Sequence, residues 1–239
     1  MKIDILAIGV HPDDIELSCS GTLLKHIQQG YSVGLLDLTQ GELGTRGTPE
    51  LRLEEAAQAK VMMGAAFRIN LGMADGFFEL SKENKLSIVQ VLRTYQPSLV
   101  LANALRDRHI DHGRAAQLIH DACFLSGLQK IATFDEQGNP QQRWRPQAVY
   151  HYIQDYHLTP DLVVDISDVI EQKVALIQAF RSQFHNPNSK ELETPLTGSD
   201  FFEFIRARAK EMGRPAGFAF AEGFQTQRTI GVKNLLHLV

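Results

Sequence analysis

The chain has 239 residues, 44% of them hydrophobic, which is enough for one large domain with a full core. A net charge of −4 excludes the basic footprint of a nucleic-acid binder, and the longest apolar runs, such as 98–103, are strand-sized and exclude a bilayer span. Two cysteines, Cys19 and Cys123, exclude a disulfide framework and read as buried thiols of a cytoplasmic protein; the N-terminal run, with Asp4 inside it, does not read as a signal peptide.

Residues 3–9 form an apolar run broken only by Asp4, as expected of a buried parallel strand. Residues 21–29 place Leu23, Leu24 and Ile27 at helical spacing and end at Gly30, a suitable helix stop. A second strand spans 32–39, and the Gly-rich, polar stretch 40–48 reads as a loop. Pro49 then opens a helix in the first-turn position, with Glu50, Glu54 and Glu55 near its positive end, running to Met63-Gly64. Residues 67–71 read as a strand, 87–95 as a helix stopped by Pro97, and 98–103 as a fourth strand. Asp111 is placed to cap a helix reaching Leu125. The polar stretch 127–146 reads as an excursion or an antiparallel hairpin. Strands at 147–153 and 161–166 follow, then a helix over 167–184, a mobile loop over 185–198, a last helix over 199–212 and an extended tail over 217–227. This alternation predicts an α/β fold with a mostly parallel sheet and helices on both faces. No linker divides the chain, so 1–239 is expected to be one domain.

Two clusters carry chemistry. The first strand runs directly into His11-Pro12-Asp13-Asp14, and Pro12 makes the exit sharp. The fourth strand is followed by Asp107-Arg108-His109-Ile110-Asp111-His112, whose histidines are spaced i, i+3. Open α/β sheets bind ligands just beyond the C-terminal ends of their strands, so a parallel sheet could bring the two clusters together. A catalytic zinc takes three His, Asp or Glu ligands and keeps a position for water; His11, Asp14 and His112 supply such a set. Fe(II) tolerates similar ligands. Asp13 could then serve as general base, and His109, best if protonated, could stabilise an oxyanion, with Asp111 or Asp107 holding it charged. Each residue also has a plainer reading: a hydrogen-bonded histidine, an Asp capping a turn, or Asp111 as an N-cap. A nucleotide-binding module is disfavoured, because acids stand where a glycine-rich pyrophosphate turn is needed.

His11-Pro12-Asp13-Asp14 with Glu16, the loop Gly41-Glu42-Leu43-Gly44-Thr45-Arg46-Gly47, His109-Ile110-Asp111-His112 and the late Ala221-Glu222-Gly223-Phe224 resemble the PIG-L/LmbE-like zinc N-deacetylases. The resemblance spans most of the chain and implies a Rossmann-like fold. It implies one zinc held by His11, Asp14 and His112, Asp13 as base, and His109 as oxyanion partner. It is greatest to the bacillithiol-pathway deacetylases, which implies N-acetylglucosaminyl malate as substrate; another amino sugar, such as a chito-oligosaccharide or an antibiotic intermediate, is the rival. Arg52 and Arg108 match arginines implicated there in gripping malate, and Arg46 and Glu42 are further pocket candidates. Surface pairing of Arg52 with Glu54 or Glu55 is the plainer reading. The resemblance also implies a homo-oligomer as large as a hexamer. Phe180-Arg181-Ser182-Gln183 keeps only the Ser-Gln of the His-x-Ser-Gln pattern found in relatives, and 185–198 lacks the tyrosine some of them carry there.

Overall fold

A computed structural model describes residues 1–184 and 191–237. Seven strands form a single sheet: β1 (Ile5–Gly9), β2 (Val33–Thr39), β3 (Phe67–Met73), β4 (Leu99–Ala102), β5 (Ala148–Tyr152), β6 (Leu162–Asp165) and β7 (Ala221–Gln225). Six helices accompany them: α1 (Asp14–Gln28), α2 (Pro49–Met63), α3 (Lys82–Tyr95), α4 (Ile110–Ser126), α5 (Ile170–Ile177) and α6 (Phe201–Gly213). The strand order is β3-β2-β1-β4-β5-β7-β6. Pairings from β3 through β5 are parallel, and β7 runs antiparallel to both β5 and β6. The α/β, mostly parallel expectation holds.

The central strands β1 and β2 are buried on both faces, so β1 carries no polar residue and the two in β2 are bonded internally, Asp37 to Arg68 and Thr39 to the Val10 carbonyl. On one face Leu6, Ile8, Val100 and Ala102 pack against Ile88 and Leu92 of α3 and Leu118 and Ile119 of α4. On the other, Ile5, Ala7, Leu35 and Leu101 meet Ile15, Cys19 and Leu23 of α1 and Leu176 of α5. Among the described residues, no helix is long and apolar enough to cross a membrane.

Five sequence expectations change, the first being α3, which begins at Lys82 and not at 87 because the Ser81 side chain caps it by accepting from Asn84 N–H. Helix α1 starts at Asp14, seven residues before the apolar periodicity does, because Asp14, Glu16, Ser18 and Ser20 occupy buried positions of its first turns. The long helix over 167–184 shortens to α5, with turns after Ile177. The tail contains β7, which inserts between β5 and β6. Asp111 does not cap α4: His109 holds the cap position, and its Nδ1 accepts from the Asp111 backbone N–H at 3.3 Å. The stretch 127–146 is an irregular excursion with one antiparallel bridge, Phe134 to Pro140. Arg93 anchors it by donating to the carbonyls of Ser126, Leu128 and Ile131 and to Thr133 Oγ1.

Candidate active site

The chain leaves β1 one way towards β2 and β3, and the strands after it add on the other side from β4, so the order reverses between β1 and β4. A crevice opens at such a reversal, beyond the strands' C-terminal ends. Four strand ends deliver polar side chains there: His11, Asp13 and Asp14 after β1, Asp75 after β3, Asn103 to His112 after β4, and Gln154 after β5. They line or back a cavity of about 610 Å³.

Asp14 is the most constrained. Its Oδ2 accepts from the backbone N–H groups of Val10 and His11, both at 3.0 Å, and from Asn103 Nδ2 at 2.9 Å. Its Oδ1 accepts from Gln154 Nε2 and lies 3.2 Å from His112 Nε2. Burial opposes its charge, but His112, His11 and the His11 N–H outweigh burial and hold the carboxyl well below the usual range.

Each of two imidazoles is backed by its own carboxylate. His11 Nε2 lies 2.9 Å from Asp75 Oδ1, and His112 Nδ1 bonds to Asp107 Oδ2. A carboxylate only accepts, so these nitrogens carry the protons, and the opposite nitrogens, His11 Nδ1 and His112 Nε2, face Asp14. Burial disfavours a charged His11, yet Asp111, Asp75 and Asp14 raise its pKa to about 10; Asp14 and Asp107 raise His112 to about 9 against the same penalty. The site is built to hold positive charge.

The third imidazole differs. The His109 ring lies 4.7 Å from that of His11 and 5.1 Å from that of His112, centroid to centroid. Asp107 is spent on His112, and Asp111 accepts from Gly76 N–H and Arg114 and lies 3.6 Å from His11, so neither acid is bonded to the His109 side chain. Burial and the two neighbouring histidines lower the His109 pKa. Because its Nδ1 accepts from Asp111 N–H, the proton of neutral His109 sits on Nε2. A neutral ring is thereby an oriented donor, and the charged ring expected from the sequence is not needed.

Asp13 follows the sharp turn with φ of 139°, a backbone region that L side chains rarely occupy. Burial pushes its carboxyl up to about 7, with Arg52 pulling the other way. Ligand-capable atoms of His11, His109 and His112 lie within 4.8 Å of one another, as do those of His11, Asp75 and Asp111. With Asp14 between the first and last imidazoles, the nitrogen and oxygen donors suit a zinc-like cation.

The arginines are placed unevenly. Arg52 is buried and donates to the carbonyls of Gly41 and Pro12, beside Asp13. It does not pair with Glu54 or Glu55; Glu55 instead accepts from Ser182 N–H and Oγ–H. Arg108 stands at the cavity, half exposed and paired with Asp155 at 2.9 Å. Arg46 is buried against Glu191. Glu42 orders its loop by accepting from Asp75 N–H at 2.7 Å. Gln183 of the Ser-Gln pair reaches the cavity and donates to the Arg46 carbonyl. The loop over 185–198 lies partly outside the described residues; within its described part, Leu196 lines the cavity.

Sequence reasoning missed Asp75, Asn103 and Gln154. Each lies one or two residues past an observed strand end, but the bounds read from the sequence, 67–71 and 98–103, put Asp75 four residues out and Asn103 inside a strand, so of the three only Gln154, directly after 147–153, was open to the strand-end rule.

The family and the relatives that this chain matches make it an N-deacetylase, a hydrolase of amide bonds on an α/β sheet. The model of the PIG-L family, described as GlcNAc-PI de-N-acetylase, matches residues 6–123, and the chain belongs to that family. It is 30% identical to the diacetylchitobiose deacetylase of Thermococcus kodakarensis over 231 residues, covering 92% of this chain and 82% of that protein. A conserved protein of Thermus thermophilus superposes with a TM-score of 0.83 at 35% identity, covering 97% of this chain and 98% of that one. The probable N-acetyl-alpha-D-glucosaminyl L-malate deacetylase 2 of Bacillus anthracis is 24% identical over 192 residues, covering 75% of this chain and 81% of that protein.

Proposed function

We propose that this chain is a zinc-dependent deacetylase of an N-acetylglucosamine conjugate. His11, Asp14 and His112 would hold the metal, Asp13 acts as general base, and His109 supports the oxyanion. The observation that carries this reading is the pair of carboxylate-backed imidazoles, Asp75–His11 and Asp107–His112, aimed at one shared carboxylate. Carboxylates behind ligating histidines fix the tautomer and raise ligand basicity. Bound zinc would polarise the amide carbonyl and make water acidic enough to attack at neutral pH.

The chain's own groups do the rest. Asp13 takes a proton from the attacking water and returns it to the amine nitrogen as the C–N bond breaks, releasing acetate and a free amine. His109 Nε2–H points its donor at the carbonyl oxygen as negative charge develops there. Arg52 holds Asp13 by its side chain and Pro12 by its carbonyl, fixing the base relative to the strand exit.

Two substrate readings remain within the amino-sugar class. The greater identity to the diacetylchitobiose deacetylase and the commitment of Arg52 to protein groups favour a chito-oligosaccharide-like sugar. The malate conjugate rests on Arg108 alone, which stands at the cavity with one exposed partner. The test is acetate release from N-acetylglucosamine, diacetylchitobiose and N-acetylglucosaminyl malate by metal-analysed protein, with and without a chelator. Chelator-sensitive release from diacetylchitobiose supports the first reading, and selective release from the malate compound the second. Release that survives complete metal removal, or none from any of the three, overturns the zinc deacetylase.

A further inference from the structure

The cavity does not stop at the histidines. Asp14, Leu17 and Ser18 stand at i, i+3 and i+4 on one face of α1, and all three line it. Four residues of helix advance about 6 Å, so the wall runs inward by roughly that depth past Asp14. The opposite wall is Ile205, Ala209 and Met212 of α6, each at most 7% exposed. The floor is the buried Lys173–Glu222 ion pair at 2.6 Å, where Glu222 also accepts from the N–H groups of Gly21 and Thr22. Ser18 Oγ is buried and has no hydrogen-bond partner among the described residues.

Resting on the deacetylase reading above, we propose that this inner compartment takes the acyl chain of the substrate, and that the enzyme prefers N-acyl groups longer than acetyl. An amide has two sides. The sugar side carries hydroxyls and needs polar partners, which stand on the outer side of the cavity at Arg108, Gln154 and Asp155. Leu17 and the α6 wall are apolar, and Lys173 and Glu222 bond to each other and to backbone groups, so of these inner groups a sugar would find only the Ser18 hydroxyl open. The acyl side is the only part of such a substrate that is apolar and begins at the scissile carbon. An acetyl group ends at one methyl, whereas about 6 Å of depth holds roughly four further carbons at ~1.3 Å of advance each. Burying a methylene strengthens binding by about four-fold.

The test compares N-acetyl-, N-butyryl- and N-hexanoylglucosamine, and hexyl N-acetylglucosaminide, on the metal-loaded enzyme. Both kcat/KM and the calorimetric Kd are measured. Wild type is expected to gain about three- to four-fold per methylene of the acyl group in both. Ala209→Phe, which fills the compartment, is expected to abolish that gain while acetate release from the acetyl compound persists; Ala209→Leu is the milder variant if Phe prevents folding. Hydrolysis of the acetyl compound with no gain along the acyl series overturns the compartment and leaves the deacetylase standing. Tighter binding along the series without hydrolysis of any compound overturns the deacetylase and leaves the compartment. Loss of both removes both. A length-dependent gain for the hexyl glycoside that Ala209→Phe removes assigns the space to the aglycone and overturns the acyl assignment.

Discussion

Arg52 Nη2 lies 3.3 Å from Asp13 Oδ2, and both side chains are buried. The same guanidinium spans the Pro12 and Gly41 carbonyls, so one residue of α2 ties the exit of β1 to the glycine-rich loop. Gly41 sits against this guanidinium so closely that an added Cβ would lie 1.9 Å from Arg52 Nη1. The loop's glycine is therefore a requirement of this arginine, and the arginine a requirement of the base.

Asp13→Asn keeps the shape of the side chain and removes its ability to take a proton. The variant is expected to retain full metal content and lose about 10²–10⁴ of kcat. Steady-state kinetics alongside elemental analysis checks this; wild-type kcat would take Asp13 out of the proton path.

Asp75→Asn and Asp107→Asn leave all three proposed ligands intact and alter only what stands behind two of them. Each is expected to weaken metal binding about 10- to 100-fold. Competition titration with a chromophoric chelator reads this directly. Affinities equal to wild type would show that the carboxylates serve the fold and not the metal.

Lys173→Met leaves Glu222 charged at 5% exposure, still bonded to two backbone N–H groups but without its cation. Removing one partner of a buried pair typically costs about 3–5 kcal/mol. Denaturant unfolding is expected to show a loss of that order, and the double variant Lys173→Met/Glu222→Gln is expected to recover much of it. A single variant as stable as wild type would contradict the account.

Burial pushes the Cys123 thiol up to about 12 and raises Cys19 well above its ordinary value. Thiolate forms only as pH passes the pKa, so at pH 8 both thiols are protonated and shielded. Native protein is expected to resist iodoacetamide at that pH, with both cysteines labelling once it is unfolded. Mass spectrometry of the two samples decides the matter; rapid native labelling would place a thiol in contact with solvent.

Strand-to-helix alternation was readable because β1 and β4 are continuous apolar runs and β2 is nearly so, and His11 and His112 were readable because they follow β1 and β4. Helix α1 began too late in the reading because its first turns bury Asp14, Glu16, Ser18 and Ser20, so the residues that make the site erased the periodicity that marks a helix. The partners of these groups lie far along the chain: Arg68 reaches Glu16 and Asp37, and Glu222 reaches Gly21. Pairings across such distances leave no local pattern. Arg52 was marked as a substrate contact by resemblance, and its plainer reading, pairing with Glu54 or Glu55 on its own helix, fails because the fold turns it inward to Asp13. Asp107 was likewise named beside His109, but the turn into α4 delivers it to His112.

The backbone at Asp13 exacts a cost that only glycine escapes. With φ at 139°, a β-carbon there is tolerated because the surroundings force it, at about 1–3 kcal/mol. Asp13→Gly relieves that strain but leaves the buried Arg52 guanidinium without its carboxylate, at about 3–5 kcal/mol, so the variant is expected to melt at a lower temperature than the native chain and to lose its chemistry. The guanidinium that fixes the base therefore also clamps the unfavourable torsion beneath it, and the two are lost or kept together.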